Sequence, residues 1–328
     1  MWGRHQVKFR HCVALAALAL AGLSAAPSRA AEKITLGTVG QASANLWPAL
    51  IGIDKGFFAA EDLQAEMTYI QSSAAVIQQV AAGSLNIAIS AGLADPVRAV
   101  SMGAPISILR IDVQAPPYDL VAKPGIASLK DLKGKLISLG GAKDITRIYV
   151  DRMLAPSGVK DGDFDMVYAG ATSARASALL AGAVDAAILL PPFNFQAVAK
   201  GFKSLGLTAD YVKDLPFSGS VVNTAWGNAN KPTVEKVLHA ESKSIAWFED
   251  GKNRDEALRI LKTASGLSQE DVEKAYDFFR NGHYFESTGK VSKTKLVALA
   301  KAMESLGDLP GSLDVDKTAL PGVTQFSE

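Results

Sequence analysis

Val80-Ala-Ala-Gly-Ser-Leu-Asn-Ile-Ala-Ile89 decides the fold, because a close copy returns later in the chain as Leu179-Leu-Ala-Gly-Ala-Val-Asp-Ala-Ala-Ile188. In each copy a helical run ends at a glycine, Gly83 or Gly182, a residue that closes a helix in the left-handed conformation at little steric cost. A turn and a short apolar run follow, and such a run is typical of a parallel strand buried on both faces. Each copy therefore predicts a helix, a tight turn and a parallel strand.

The spacing of the two copies indicates two lobes of similar build. Gly182 follows Gly83 by 99 residues, which is about the length of one domain. A short repeat of this kind is also an ordinary feature of one parallel α/β domain, so the copies alone leave that alternative open. Two α/β lobes would form a cleft between them, and clefts are where proteins hold small ligands.

The start of the chain has the layout of a secretory signal peptide. Three basic residues precede an apolar run over 13–23, and small residues then lead to Ala30. A membrane anchor or a buried helix is the alternative, but the run is shorter than the roughly 20 residues that span a bilayer. We expect cleavage after Ala30 or Ala31 and an exported, periplasmic product.

Composition narrows the function of the remaining chain. The 328 residues are 48% hydrophobic, which suffices for the core of one or two domains. Loss of residues 1–30 would remove four basic residues and no acidic one, so the formal charge would change from +1 to −3. No basic stripe remains for nucleic acid phosphates, and we expect no nucleic acid partner.

Few residues suited to catalysis or metal binding remain after the predicted cleavage. The only cysteine, Cys12, lies in the signal segment, so disulfides, thiol nucleophiles and thiolate ligands are not expected. His239 and His283 have no evident partner, which predicts neither a metal site nor a cofactor nor a catalytic site. Arg110 and Asp112 fit a structural pair or hinge ligands better than an acid and a base.

Prolines and apolar runs outline the expected crossings between lobes. An apolar strand over 106–113 leads to Ala115-Pro-Pro117, where two prolines fix an extended link, and an apolar run over 217–226 predicts the return strand. The patterns that follow are helical, and we expect these helices to cover the first lobe and the tail from Gly307 to be irregular surface chain. The expected fold is α/β, with two Rossmann-like lobes joined by two crossings. The predicted boundaries are a signal peptide at 1–30, lobe I at 31–113 and 218–328, and lobe II at 114–217.

Several motifs resemble one family of binding proteins. They are Trp47-Pro-Ala-Leu-Ile-Gly-Ile-Asp-Lys-Gly-Phe-Phe-Ala-Ala-Glu-Asp-Leu63, Leu120-Val-Ala-Lys-Pro-Gly-Ile126, Leu129-Lys-Asp-Leu-Lys-Gly-Lys135, the second repeat, and Lys231-Pro232 after the return strand. In this order they are similar to periplasmic solute-binding proteins of the nitrate, sulfonate and taurine type, a group that also includes binders of the thiamine pyrimidine precursor. The resemblance implies a type II periplasmic binding protein fold. It also implies a ligand held between the lobes and delivery to the permease of an ABC importer, which an ATPase powers.

The sequence departs from one branch that shares the implied fold. Pyrimidine-making enzymes of that branch depend on a cysteine-rich loop and an active-site histidine, whereas this chain has no cysteine after the predicted cleavage site. We therefore expect a monomeric binding protein and not an enzyme. A sensor that presents its bound ligand to a membrane receptor, and a binder of a neutral or cationic heterocycle such as a pyrimidine precursor, are the alternatives.

The candidate ligand site follows from where the predicted strands end. In an open α/β sheet, ligands lie at the carboxyl ends of the strands, where helix N-termini present unpaired N–H groups. Each such terminus carries about half a positive charge, which suits a carboxylate or a sulfonate. The candidate binding residues in these loops are Gln41, Asn45, Ser72, Ser73, Ser90, Gly92, Thr172 and Ser173.

A glycine-rich loop is the best candidate for holding an anion. In Gly140-Gly141-Ala142-Lys143 the glycines let the backbone approach a ligand and Lys143 adds a full charge. A plain strand-to-helix turn with an exposed lysine is the alternative. Asp144 fits a helix cap better than a contact with a cationic ligand. Trp47 and Phe193 are candidates for stacking on a ring or lining an apolar pocket, with core packing as the alternative.

Overall fold

The structure is a computed structural model, and it describes residue 2 and residues 31–328. The predicted signal peptide therefore lies outside the described residues, apart from Trp2. Within the described part of the chain, no helix has both the length and the apolar character that crossing a bilayer requires.

The described chain contains both sheets and helices. The strands are β1 (Glu32–Val39), β2 (Leu63–Ile70), β3 (Ile87–Gly92), β4 (Ile106–Val113), β5 (Asp119–Ala122), β6 (Leu136–Leu139), β7 (Asp165–Tyr168), β8 (Ala186–Leu189), β9 (Lys203–Leu207), β10 (Ser218–Asn223), β11 (Val291–Ser292) and β12 (Phe326–Ser327). The α-helices are α1 (Trp47–Asp54), α2 (Ser73–Ala81), α3 (Ala94–Ser101), α4 (Ile145–Leu154), α5 (Thr172–Leu180), α6 (Phe193–Ala199), α7 (Thr224–Ala229), α8 (Lys231–Glu249), α9 (Arg254–Ser265), α10 (Gln269–Asn281) and α11 (Lys293–Ser305).

Two five-stranded sheets share one arrangement. Their orders are β2-β1-β3-β10-β4 and β7-β6-β8-β5-β9. In each sheet the first three strands run parallel, and the fourth runs antiparallel to both of its neighbours. We call the part of the chain built on the first sheet lobe I and the part built on the second sheet lobe II. The chain leaves lobe I after β4 and returns through β10, which gives the two crossings.

The repeated sequence forms equivalent elements in both lobes. Helix α2 is followed by Gly83 at φ +73°, and helix α5 by Gly182 at φ +74°, so both glycines adopt the left-handed conformation expected of them. The strands that follow, β3 and β8, are buried along their whole length and hold the third place in their sheets. The predicted helix, turn and parallel strand are thus confirmed in both copies.

The C-terminal helices pack mainly on lobe I, as the sequence predicts. Helices α8 and α9 contact α1, and α11 contacts α3. The aromatic rings of Phe248, Tyr276 and Phe285 join α8, α10 and the following loop, with the centroid of Phe248 4.7 Å from that of Tyr276 and 5.0 Å from that of Phe285. This packing joins α8 to α10 and to the loop that follows it.

Two expectations about this part of the chain are wrong. The predicted strand over 217–226 ends at Asn223, because the Asn223 side chain accepts a hydrogen bond from the Trp226 amide and begins α7. The tail from Gly307 is not merely irregular surface chain. Thr318 and Leu320 are buried, and β12 pairs with β11.

Candidate functional site

A cavity of about 40 Å³ lies at the carboxyl ends of the parallel strands of both sheets. A water molecule needs at least about 10–15 Å³, so the cavity admits a small polar group in this arrangement of the lobes. Its lining residues are Val39, Ser43, Asn45, Ser72, Ser73, Ser90, Gly92, Tyr118, Gly140, Asp144, Ile145, Gly170, Ala171, Thr172, Arg175, Leu190 and Phe217. We call it the main cavity.

Three helices begin at the main cavity. Ser72 caps α2 by accepting a hydrogen bond from the Ala75 amide at 3.3 Å, and Asp144 caps α4 by accepting from the Thr146 amide at 2.9 Å. Thr172 is the first residue of α5, and its hydroxyl accepts from the Leu190 amide at 3.0 Å. The N-terminal ends of these helices direct partial positive charge toward the same space, which favours an anion.

Arg175 places a full positive charge in the wall of the main cavity. The residue is 3% exposed, its Nε donates to the Ile188 carbonyl at 2.8 Å, and its Nη1 donates to the Gly170 carbonyl. Among the described residues no carboxylate forms an ion pair with this guanidinium. Two carbonyl contacts hold the group in position but leave its charge uncompensated, which is costly for a buried ion.

Tyr118 and Asp144 complete the polar chemistry of the main cavity. The guanidinium carbon of Arg175 lies 5.8 Å from the centroid of the Tyr118 ring, within range of a cation–π contact. Burial raises the pKa of Tyr118, so its phenol stays neutral. The Asp144 carboxylate accepts from both the amide and the hydroxyl of Thr146. It also lies where a side chain at position 140 would be, since a Cβ on Gly140 would approach its Oδ1 to 2.6 Å.

Ser90 joins the main cavity to a buried polar network. Its backbone has φ +49°, an unusual value for a residue with a side chain, and its amide donates to Asp112 Oδ2 at 2.8 Å. Its hydroxyl accepts from Asn45 Nδ2 at 2.9 Å and lies 3.0 Å from the Ser218 hydroxyl. As predicted, Arg110 and Asp112 form a pair, with Nε 3.2 Å from Oδ1.

Seven of the sequence-predicted site residues line the main cavity. Five belong to lobe I, at the end of β3 or in the segments that follow β1 and β2, and two belong to lobe II. They are Ser90 and Gly92, then Asn45, Ser72 and Ser73, then Gly140 and Thr172.

Lys143 and Gly141 lie outside the main cavity, in a neighbouring surface pocket. The Lys143 side chain is 59% exposed, and its Nζ lies 3.4 Å from Asp308 Oδ1. The main-chain carbonyl of Lys143 accepts a hydrogen bond from Arg98 Nη2, so this loop is held in place within the protein. In the same pocket burial raises the pKa of Asp95 to about 6, and the nearby charge of Asp144 raises it further, against the lowering effect of its bonds to Ser73 and Arg98.

Four other predicted residues are also not brought to the main cavity. Trp47 is fully buried in the core of lobe I, where its indole Nε1 has no hydrogen-bond partner among the described residues, and Phe193 packs beside a second core cluster of lobe II. Gln41 is exposed, and Ser173, half-buried in the first turn of α5, is not among the lining residues.

Ten lining residues were not among the predicted site residues. They are Val39, Ser43, Tyr118, Asp144, Ile145, Gly170, Ala171, Arg175, Leu190 and Phe217. Only Arg175 carried a usable signal. A cation in the first turns of a helix opposes the helix dipole, so an arginine three residues after the start of α5 needs an explanation that a ligand would supply.

No cluster of three or more histidine, cysteine or acidic residues suited to a metal ion occurs in the part of the chain that the structure describes. The chemistry of the main cavity is thus that of hydrogen-bond donors, one buried cation and one helix-capping carboxylate.

The fold of this chain is the type II periplasmic binding protein fold. It is similar to the alkanesulfonate-binding protein SsuA of Xanthomonas axonopodis pv. citri bound to MOPS, with TM-score 0.71 and 17% identity over 90% of this chain and 98% of that chain. It is also similar to the nitrate-binding protein NrtA of Synechocystis PCC 6803, with TM-score 0.71 and 18% identity over 88% of this chain and 86% of that one. A third similar structure is the desulfurization enzyme DSZB, with TM-score 0.66 and 14% identity over 89% of this chain and 97% of that chain.

The chain belongs to the NMT1/THI5-like family. The model of that family matches residues 43–251, which is more than half of the chain and includes most residues of the main cavity. A search of curated protein sequences finds no match.

Proposed function

We propose that this chain is the extracytoplasmic substrate-binding protein of an ABC importer and that it holds a small organic anion in the main cavity. The buried and uncompensated guanidinium of Arg175 carries the proposal. A bound carboxylate or sulfonate would neutralise that charge and accept hydrogen bonds from it, which are stronger than bonds between neutral groups. The names of the structural neighbours, a sulfonate-binding and a nitrate-binding protein, support an anionic ligand.

Shape and charge in the main cavity favour a compact anionic group over an extended one. Helices α2, α4 and α5 begin around the cavity, and their free N–H groups complement the guanidinium. The proposed ligand is therefore a sulfonate, a carboxylate or a related small anion, and its uncharged part would contact Tyr118, Ile145 and Phe217.

The proposal includes a location and partners. We propose a periplasmic monomer, released by cleavage after Ala30 or Ala31, that hands its ligand to a membrane permease driven by an ATPase. We propose lobe boundaries at 31–113 and 218–328 for lobe I and at 114–217 for lobe II. Neither a nucleic acid partner nor a cofactor is part of the proposal.

Titration calorimetry against sulfonates, carboxylates, nitrate and pyrimidines tests the function, with Arg175→Ala and Arg175→Lys as variants. Loss of hydrogen bonds to a charged group costs about 1.5–3 kcal/mol, so we expect Arg175→Ala to weaken anion binding by at least about tenfold and Arg175→Lys to weaken it less. Arg152→Ala is the control, because that arginine pairs with Asp214 at a partly exposed site away from the cavity. An Arg175→Ala protein that folds and binds the same anion with unchanged affinity would refute the assignment.

Turnover is tested in the same samples, because one structural neighbour is named as an enzyme. Each compound that binds is incubated with the protein and its integrity is followed by mass spectrometry. We expect the bound compound to be recovered unchanged. Conversion that depends on Arg175 would instead indicate an enzyme on the same fold.

A further inference from the structure

A second cavity, of about 20 Å³, adjoins the main cavity, and Asn45 and Ser90 line both. We call it the inner cavity. Two carboxyl groups, those of Asp112 and Glu241, lie in its wall, and the remaining lining is mainly apolar, from α1, β3, α8 and Phe285. Glu241 is 6% exposed, and its Oε2 has no hydrogen-bond partner among the described residues.

The geometry at Ser220 fixes where a proton must be. The Ser220 hydroxyl lies 2.9 Å from Asp112 Oδ2 and 2.9 Å from Glu241 Oε1, yet it has only one hydrogen to donate. If both carboxyl groups were ionised, one of these contacts would join two acceptors in a buried place. One carboxyl group is therefore protonated and donates to the Ser220 oxygen.

Glu241 is the protonated member of the pair. Asp112 has the Arg110 guanidinium 3.2 Å away and accepts the Ser90 amide at 2.8 Å, and both contacts favour its ionised form. Glu241 has neither contact. In agreement, burial and then the charge of Asp112 raise the pKa of Glu241 to about 8.

A chain of hydrogen bonds then leads from Glu241 to the main cavity. The Glu241 carboxyl donates to Ser220, Ser220 donates to Asp112, and Asp112 accepts from the amide of Ser90. That last bond holds Ser90 at φ +49° with its hydroxyl against Asn45, so the two residues that line both cavities are positioned together.

We propose that Glu241, in its neutral form, is a positioning residue of the ligand site and that its ionisation weakens anion binding. The inference rests on the proposed function. Ionisation would remove the proton that Glu241 donates to Ser220, so the Ser220 hydroxyl could donate to only one of two carboxylates. It would also place a second buried negative charge beside Asp112, the residue that holds the Ser90 amide. That added charge acts against an anion in the main cavity.

The charged groups that face Glu241 are few. Within residues 31–328, the charges that act on it are those of Asp112 and Arg110 of β4, and Glu286 acts on Asp112 from the loop that also supplies Phe285. Strands β3 and β10 contain no ionisable residue, and the one in α1, Asp54, lies at the end of that helix, outside the lining. The expected pH dependence therefore belongs to Glu241 and its partner Asp112.

Calorimetry between pH 5.5 and 9.5 tests the inference on the wild-type protein and on Glu241→Gln. If only the neutral form binds tightly, the Kd of the anion rises by up to about tenfold per pH unit above the pKa of Glu241. Glutamine keeps a neutral donor to Ser220, so we expect Glu241→Gln to bind as tightly as the wild type at pH 6 and to lose this dependence. Glu249→Gln is the matched control, because burial also raises the pKa of Glu249 but the residue lines neither cavity, and it should keep the wild-type profile.

A second measurement separates failure of this inference from failure of the proposed function. The carboxyl carbon of Glu241 is followed by NMR titration of the protein without ligand. Ionisation near pH 8 supports the inference, whereas ionisation below pH 6 overturns it whatever the ligand is. A wild-type protein and a Glu241→Gln protein whose affinities change with pH in the same way would overturn it as well. If no anion binds at any pH, the proposed function fails instead.

Discussion

Asp144 and Arg175 carry opposite charges and both line the main cavity. The Asp144 carboxylate accepts hydrogen bonds from the amide and the hydroxyl of Thr146. Among the described residues, Arg175 contacts two main-chain carbonyls and the Tyr118 ring, none of which carries a negative charge. The Asp144 carboxylate therefore serves as the N-cap of α4. The guanidinium has no comparable partner for its charge, which makes an anion the better match for the cavity.

Asp144→Asn tests which ligand charge the cavity accepts. Asparagine caps a helix about as well as aspartate, so the variant removes a negative charge and leaves α4 intact. At an effective dielectric constant between 20 and 80, two charges several ångströms apart interact by on the order of 1 kcal/mol, so we expect anion affinity to rise by about fivefold. Calorimetry measures the change, and Asp165→Asn, at an exposed position of β7, is the control. Lower affinity in Asp144→Asn would show that a cationic group of the ligand contacts Asp144.

The sequence predicted cavity-lining residues correctly where the backbone alone determines the position of the residue. It failed where the contacts of a long, flexible side chain determine whether the residue reaches the cavity. Asn45, Ser72 and Thr172 follow strand ends, and the sheet brings such positions together whatever their side chains do. Lys143 also follows a strand end, but its flexible side chain reaches the surface and pairs with Asp308. That partner is remote in sequence, so the pairing could not be predicted.

At the level of elements, one side chain connects the end of α2 with the start of α7. Asn223 Oδ1 accepts from the Trp226 amide, and its Nδ2 donates to the carbonyls of Val80 and Ala81, each bond 3.1 Å long. The first contact begins α7 and the second satisfies carbonyls that the end of α2 leaves free. The first copy of the repeat therefore depends on a residue of the return strand.

Asn223→Ala and Asn223→Ser separate the two contributions. Loss of a cap costs about 1 kcal/mol, and loss of a buried hydrogen bond about 0.5–1.5 kcal/mol, so we expect Asn223→Ala to reduce the free energy of unfolding by about 2 kcal/mol. Serine retains a capping oxygen and should cost about half as much. Urea unfolding measures both values. Asn228→Ala, at an exposed position of the same helix, should be neutral or slightly stabilising, because alanine favours a helix more than asparagine does. An equal loss in that control would show that the loss in Asn223→Ala does not come from the contacts of Asn223.

The elements were largely predictable because most of them carry a local signal. The strand over 106–113 has the predicted bounds, since five of its eight residues are isoleucine, leucine or valine, as is typical of a strand buried on both faces. Strand β9 was not predicted, because Lys203–Leu207 is short, partly exposed and held at the edge of the second sheet only by its pairing with β5. The tail after Gly307 is ordered by a bridge between Ala319 and Ile108, and such a long-range contact leaves no periodic pattern in the sequence.

In the whole molecule, the two lobes touch around the main cavity at several points. The Ala44 amide of lobe I donates to the Pro191 carbonyl of lobe II at 3.1 Å. Gly170 of lobe II has φ +68°, and a Cβ at that position would lie 2.4 Å from the Gln71 carbonyl oxygen of lobe I. The sequence predicted two lobes and the loops between them, but the closeness of these loops depends on how the lobes are arranged, which no local pattern encodes.

Gly170→Ala therefore tests whether this close approach belongs to the ligand-bound form. The substituted residue strains the backbone in any arrangement, at a cost of roughly 1 kcal/mol, but its methyl group collides with Gln71 only when the lobes are close. We expect weaker anion binding and, at saturating ligand, a larger radius of gyration by small-angle X-ray scattering than the wild type shows. Gly158→Ala is the matched control, because Gly158 has φ +76° with nothing within 4 Å of the added carbon, so it should lose stability and keep its affinity. If both variants bind equally well, contact between Gly170 and Gln71 is not needed to hold the ligand, and closure of the lobes must depend on other contacts such as that of Ala44 with Pro191.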